Sequence, residues 1–99
     1  MEQPSATHPG AVLRSEFVEP LGLSVEELAT SISIPPTRIK EILVGRRAIS
    51  ADTAMRLADR LGTTPEYWIT LQTNYDLSLV SQASQRRGPR RPKLPRRRR

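Results

Sequence analysis

The stretch that decides the fold is residues 24–50, SVEELATSISIPPTRIKEILVGRRAIS. Ser24-Val25-Glu26-Glu27 places a serine three residues ahead of a glutamate, the reciprocal capping pattern of a helix start. Behind it Val25, Leu28, Ala29 and Ile32 fall at i, i+3, i+4 and i+7, one face of a helix. A second helical segment begins at Pro35-Pro36 and stops at Gly45, a left-handed end after Leu43-Val44. Its inner face is Ile39, Ile42 and Leu43. Ser33-Ile34 and the prolines are all that separate the two segments. So short a link forces the helices to cross steeply, which demands a small residue at the crossing, and Ala29 meets the demand.

Such a pair is a helix-turn-helix arrangement, in which the first helix bridges a DNA backbone and the second lies in the major groove. With Ile34, Ile39 and Ile42 inward, a 100° step per residue turns Thr37, Lys40, Glu41 and Val44 outward. Arg38 lies on the flank, within reach of a phosphate. Thr37 can hydrogen-bond a base or touch a thymine methyl, and Lys40 suits the acceptors of guanine. Glu41 can accept from cytosine or tune Lys40. Arg46 and Arg47 follow in the connecting loop, where neutralising phosphate is the natural task. The competing reading is plain bundle packing; the basic outward face and basic loop favour DNA.

Outward from this pair the spacing stays helical and the alternation of a half-buried strand is missing. A first helix opens at Pro9 and runs to about Val18, with Leu13 and Phe17 on one face, and Glu19-Pro20 ends it. Ser50 caps a fourth helix through Ala54, Leu57, Ala58 and Leu61, closed by Gly62. Thr64-Pro65-Glu66 opens a fifth, which carries Trp68, Leu71, Tyr75 and Leu79 along a stripe. The expected fold is all-α, a compact five-helix bundle. Residues 1–7 read as a flexible arm, 8–80 as the domain and 81–99 as a disordered Arg/Pro-rich tail.

Charge divides along the same line. The whole chain carries +6, but residues 1–80 hold seven Arg/Lys against ten Asp/Glu, a net of −3. Residues 81–99 hold nine Arg/Lys and no acid, a net of +9. Cysteine is absent, which rules out disulfides and thiolate metal sites and is consistent with a reducing cytosol. No secretory signal and no run of roughly 20 apolar residues is present, so a soluble cytoplasmic protein without membrane contact is expected.

His8 has no partner base, acid or nucleophile around it in the sequence, and its position directly before a helix fits an N-cap or turn. One histidine without cysteine makes no metal ligand set. Glu26-Glu27 falls at a helix start and serves its dipole. The expectation is a protein that is not an enzyme and needs no cofactor.

The ordered pieces His8-Pro9-Gly10, Glu19-Pro20-Leu21-Gly22-Leu23-Ser24, Gly45-Arg46-Arg47-Ala48-Ile49-Ser50-Ala51-Asp52-Thr53-Ala54 and Leu61-Gly62-Thr63-Thr64-Pro65-Glu66-Tyr67-Trp68 resemble the HigA antitoxin family. With Leu71-Gln72-Thr73-Asn74-Tyr75-Asp76-Leu77 the likeness spans about residues 8–78. That family belongs to the Xre-type, lambda-repressor-like helix-turn-helix proteins. The resemblance implies an antitoxin that binds and silences a HigB/RelE-like mRNA-cleaving toxin and represses its own operon as a homodimer on operator DNA. It also implies dimerisation through the C-terminal helix, with Trp68, Leu71 and Tyr75 shared between core and partner subunit.

The chain departs from the family pattern at three places. Ser33 stands where glycine is usual in the turn, at a cost of about 1 kcal/mol if its φ is positive. Val25 replaces a polar residue that often touches phosphate, and Pro35-Pro36 occupies the first positions of the reading helix. The tail keeps three readings open: a solvated end, a nonspecific DNA arm, or a grip on an acidic patch or nucleic acid within a toxin complex. Two other functions also stay open, a stand-alone regulator without a toxin and a toxin-binding protein that no longer reads DNA.

Overall fold

Five helices occupy residues 6–86, the part of the chain that the computed structural model describes, and no strand is among the described residues. Helix α1 is one helical run in three parts, an α stretch Pro9–Leu13, a π stretch Arg14–Val18 and a closing α turn Glu19–Leu21. Helices α2 to α5 span Val25–Ile32, Pro36–Leu43, Ala51–Leu61 and Pro65–Arg86.

The helix starts follow the capping chemistry of the sequence. The Ser24 hydroxyl accepts from the Glu27 N–H at 3.0 Å while the Glu27 carboxylate accepts from the Ser24 N–H at 2.9 Å. Ser50 accepts from the Thr53 N–H, and Thr64 from the Tyr67 N–H. His8 is the N-cap of α1, its Nδ1 accepting from the Gly10 N–H at 2.8 Å.

Two boundaries differ from the sequence reading. The first helix does not end at Glu19-Pro20 but passes through Pro20 to Leu21. In an α-helix the Pro20 ring would strike the Glu16 carbonyl, and its missing N–H would leave that carbonyl without its bond. The π turn widens the helix just before the proline, with the Glu19 N–H bonded to the Arg14 carbonyl, five residues back, which accommodates the ring. Gly22, at φ 65°, then stops the run.

At the other end, α5 continues to Arg86, six residues past the expected domain limit at 80. Residues 81–86 hold no glycine or proline, and extending an existing helix is cheap, so the polar composition did not stop it. The rest of the tail and residues 1–5 of the arm lie outside the described residues.

The core gathers the inward faces. Leu13, Leu28, Ile39, Ile42, Leu57 and Trp68 are fully enclosed, and Ala29 is buried where α2 and α3 cross. Helices α1 and α3 approach backbone to backbone: a Cβ at Gly10 would collide with the Ile42 carbonyl, so only glycine fits there. Trp68 sits against Phe17 and Tyr67, and its indole N–H donates to the Thr63 hydroxyl at 2.7 Å. No helix among the described residues is long and apolar enough to cross a membrane.

Candidate nucleic-acid interface

The turn between α2 and α3 is built by Ser33, which adopts φ 59°, ψ 44°, the left-handed conformation that favours glycine. The Ile34 N–H bonds back to the Ala29 carbonyl at 3.0 Å, and the Ile34 side chain is buried beneath the turn. From α4, Arg56 reaches across and donates from Nη1 to the Ile32 carbonyl at 2.9 Å, while its Nε donates to Asp52 at 3.0 Å. A guanidinium at the carbonyl end of α2 complements the helix dipole and holds the turn against the bundle.

Helix α3 leaves this turn with Pro35 as its cap and Pro36 as its first residue, both exposed. The structure places Ile39, Ile42 and Leu43 inward, and Thr37, Arg38, Lys40 and Val44 in solvent, Val44 at 59% exposure. Gly45 at φ 81° closes the helix, with the Arg46 N–H bonded to the Glu41 carbonyl at 2.8 Å. Arg46 and Arg47 are exposed in the loop beyond. Residues 37–47 thus bring four cations and one acid to one side of a body that is otherwise acidic. That acid, Glu41, engages Arg47 at 2.7 Å, the ion pair found on this face.

The loop after α3 is pinned from behind. The Ile49 N–H donates to the Gln72 amide oxygen at 2.8 Å, in a buried position, and the Gln72 NH₂ donates to Asp76 at 3.0 Å. Sequence reasoning missed Gln72 and Arg56. Gln72 had a signal, a polar residue four positions after Trp68 on the buried stripe of α5; Arg56 showed only an i, i+4 pair with Asp52.

Helix α5 requires one correction. Trp68 has no exposed surface, so its side chain is spent on the core of its own chain and has none left for a partner subunit. Leu71 and Tyr75 are half-buried, Tyr75 with its ring edge-on to His8 at 4.7 Å between centroids. The exposed apolar residues of α5 are Tyr67 near its start and Leu77, Leu79 and Val80 near its end, Leu77 and Val80 at 61% and 63%.

Two crossed helices, a tight turn and a basic outward face define a DNA-binding protein of the helix-turn-helix class. The chain matches the helix-turn-helix family HTH_3 over residues 15–68 and belongs to it, as an Xre-type member of the HigA antitoxin group. It is 44% identical to virulence-associated protein I of Dichelobacter nodosus over 80 residues, covering 81% of this chain and 74% of the relative. A HigA-family addiction module antidote protein from Coxiella burnetii superposes with a TM-score of 0.78 at 41% identity, covering 87% of this chain and 91% of that one. The Pseudomonas aeruginosa antitoxin HigA, solved with the higBA promoter, does so at 0.79 and 32% identity, over 86% and 90%.

Proposed function

We propose that this chain is the antitoxin of a type II toxin–antitoxin pair. It forms a homodimer, represses its own operon by reading operator DNA, and binds and neutralises a RelE-like mRNA-cleaving toxin. The observation that carries the DNA half is the exposure of Thr37, Arg38, Lys40, Arg46 and Arg47 along α3 and the loop after it; in this reading Thr37 and Lys40 meet bases and the three arginines meet phosphates. A dimer follows from the two-fold symmetry that half-sites one helical turn apart require. The apolar end of α5, where Leu77, Leu79 and Val80 are exposed, offers the surface for it in place of Trp68. The toxin half is supported by the family likeness.

Co-expression with the neighbouring gene tests the whole reading. The expected result is rescue of growth from that gene's product and a shift of the promoter fragment. A neighbour that is not toxic removes the antitoxin half, leaving a stand-alone regulator. Rescue without any shift removes the repressor half.

A further inference from the structure

We propose that Pro36 reads the 5-methyl group of a thymine in each operator half-site, so that α3 selects a base at its leading end by apolar contact. The inference rests on the reading that α3 enters the major groove, and it names the chemistry its tip can recognise.

A recognition helix points its N-terminal residues at base edges, and it is there that this chain departs from hydrogen-bonding side chains. Pro35 and Pro36 stand exposed at the cap and first position of α3. Neither has an N–H. The Pro35 carbonyl is taken from inside the helix by the Arg38 and Ile39 N–H groups, at 3.0 and 3.2 Å. The two prolines therefore offer ring carbons, and Thr37 next in the chain adds a methyl beside its hydroxyl and N–H.

In the major groove the group that answers carbon is the thymine methyl; the other base features there are donors and acceptors. A guanine or adenine acceptor pressed against a proline ring would lose its water and gain no partner, which disfavours it. Selection thus works in both directions. Pro36 and Lys40 are four residues apart, neighbours on the same side of the helix with about 5–6 Å between their Cβ atoms. Successive bases rise about 3.4 Å, so the thymine under Pro36 falls one to two base pairs from the guanine that suits Lys40.

The test uses the promoter fragment upstream of the chain's own reading frame, together with copies in which single thymines are replaced by deoxyuracil. Uracil pairs as thymine does and lacks only the methyl. For the full chain, one position in each half-site should weaken binding about fourfold on substitution, the worth of one buried methyl-sized group. Pro36→Ser, which leaves a residue that helix starts accept, should bind thymine and uracil copies alike while keeping its preference for the guanine.

A parent chain that binds every uracil copy as tightly as the thymine fragment overturns the inference and leaves the operator reading standing. A parent chain that shifts no fragment overturns both. Retention of the full uracil penalty by Pro36→Ser assigns the contact elsewhere and overturns the role of Pro36. The uracil series on the parent chain needs no folded variant, so a poorly folded Pro36→Ser leaves it decisive.

Discussion

The Glu41 carboxylate, on the last turn of α3, holds Nε of Arg47 at 2.7 Å and so ties the outward face of the helix to the loop beyond it. Both side chains are close to half exposed, so the pair contributes under about 1 kcal/mol to folding. On the proposed reading its effect falls on DNA binding. Glu41→Gln should leave the unfolding midpoint nearly unchanged, release Arg47 for phosphate and steepen the dependence of affinity on salt by about one phosphate contact. Titrations of random-sequence DNA across a salt series read this directly. An affinity loss confined to one base pair would instead mark Glu41 as a reader of cytosine.

Lys40 and Arg46 should separate sequence reading from backbone grip. Lys40→Ala should cost about 1–3 kcal/mol on the operator and little on random DNA. Arg46→Ala should weaken binding to every sequence alike and lower the salt slope by about 0.9. Parallel titrations on both DNAs check it, and identical behaviour of both variants and the parent would put the reading surface elsewhere.

The contrast between α2–α3 and the two ends shows what a sequence displays. Capping at Ser24 and Ser50, the stop at Gly45 and the inward isoleucines depend on neighbours within one turn, so spacing exposed them. The left-handed Ser33 was legible as a residue in a glycine's place. Helix passage through Pro20 was not, because a proline reads as a helix end and nothing in the residue spacing says that a π turn will widen the helix to admit it. Nor could spacing show that Trp68 is wholly enclosed, since an amphipathic stripe does not say whether its own chain or another covers it. Arg56 and Gln72 act over 24 and 23 residues, beyond any helical period.

Gln72 should matter to stability out of proportion to its polarity. It satisfies the buried Ile49 N–H, and removing it leaves that donor without a partner in a site closed to water. Gln72→Ala should lower stability by about 1–3 kcal/mol in urea unfolding and loosen the loop that presents Arg46 and Arg47. A loss below about 0.5 kcal/mol would mean that water replaces the amide.

His8 introduces a dependence on pH. Burial pushes its imidazole below the ordinary 6.5, with the Asp76 carboxylate pulling partly the other way. The neutral ring is also what the cap requires, since Nδ1 accepts from the Gly10 N–H. The unfolded chain therefore takes up this proton at a higher pH than the folded one. The stabilisation is complete above pH 6.5 and is lost as pH falls below that and through the lowered folded value. Melting temperature should decline over that window, and His8→Asn, which keeps an acceptor that does not titrate, should flatten the decline.

The bond from Arg56 to the Ile32 carbonyl ties the end of α2, and with it the turn that leads into α3, to α4. With the inward isoleucines it fixes the frame, and residues 37, 40, 41 and 44 carry almost none of that burden. Exposed substitutions of this kind usually change stability by about 0.5 kcal/mol or less. On the proposed reading, the DNA address can accordingly be rewritten while the scaffold stays intact. Duplicated copies in one genome can then drift to separate targets and stop cross-repressing one another.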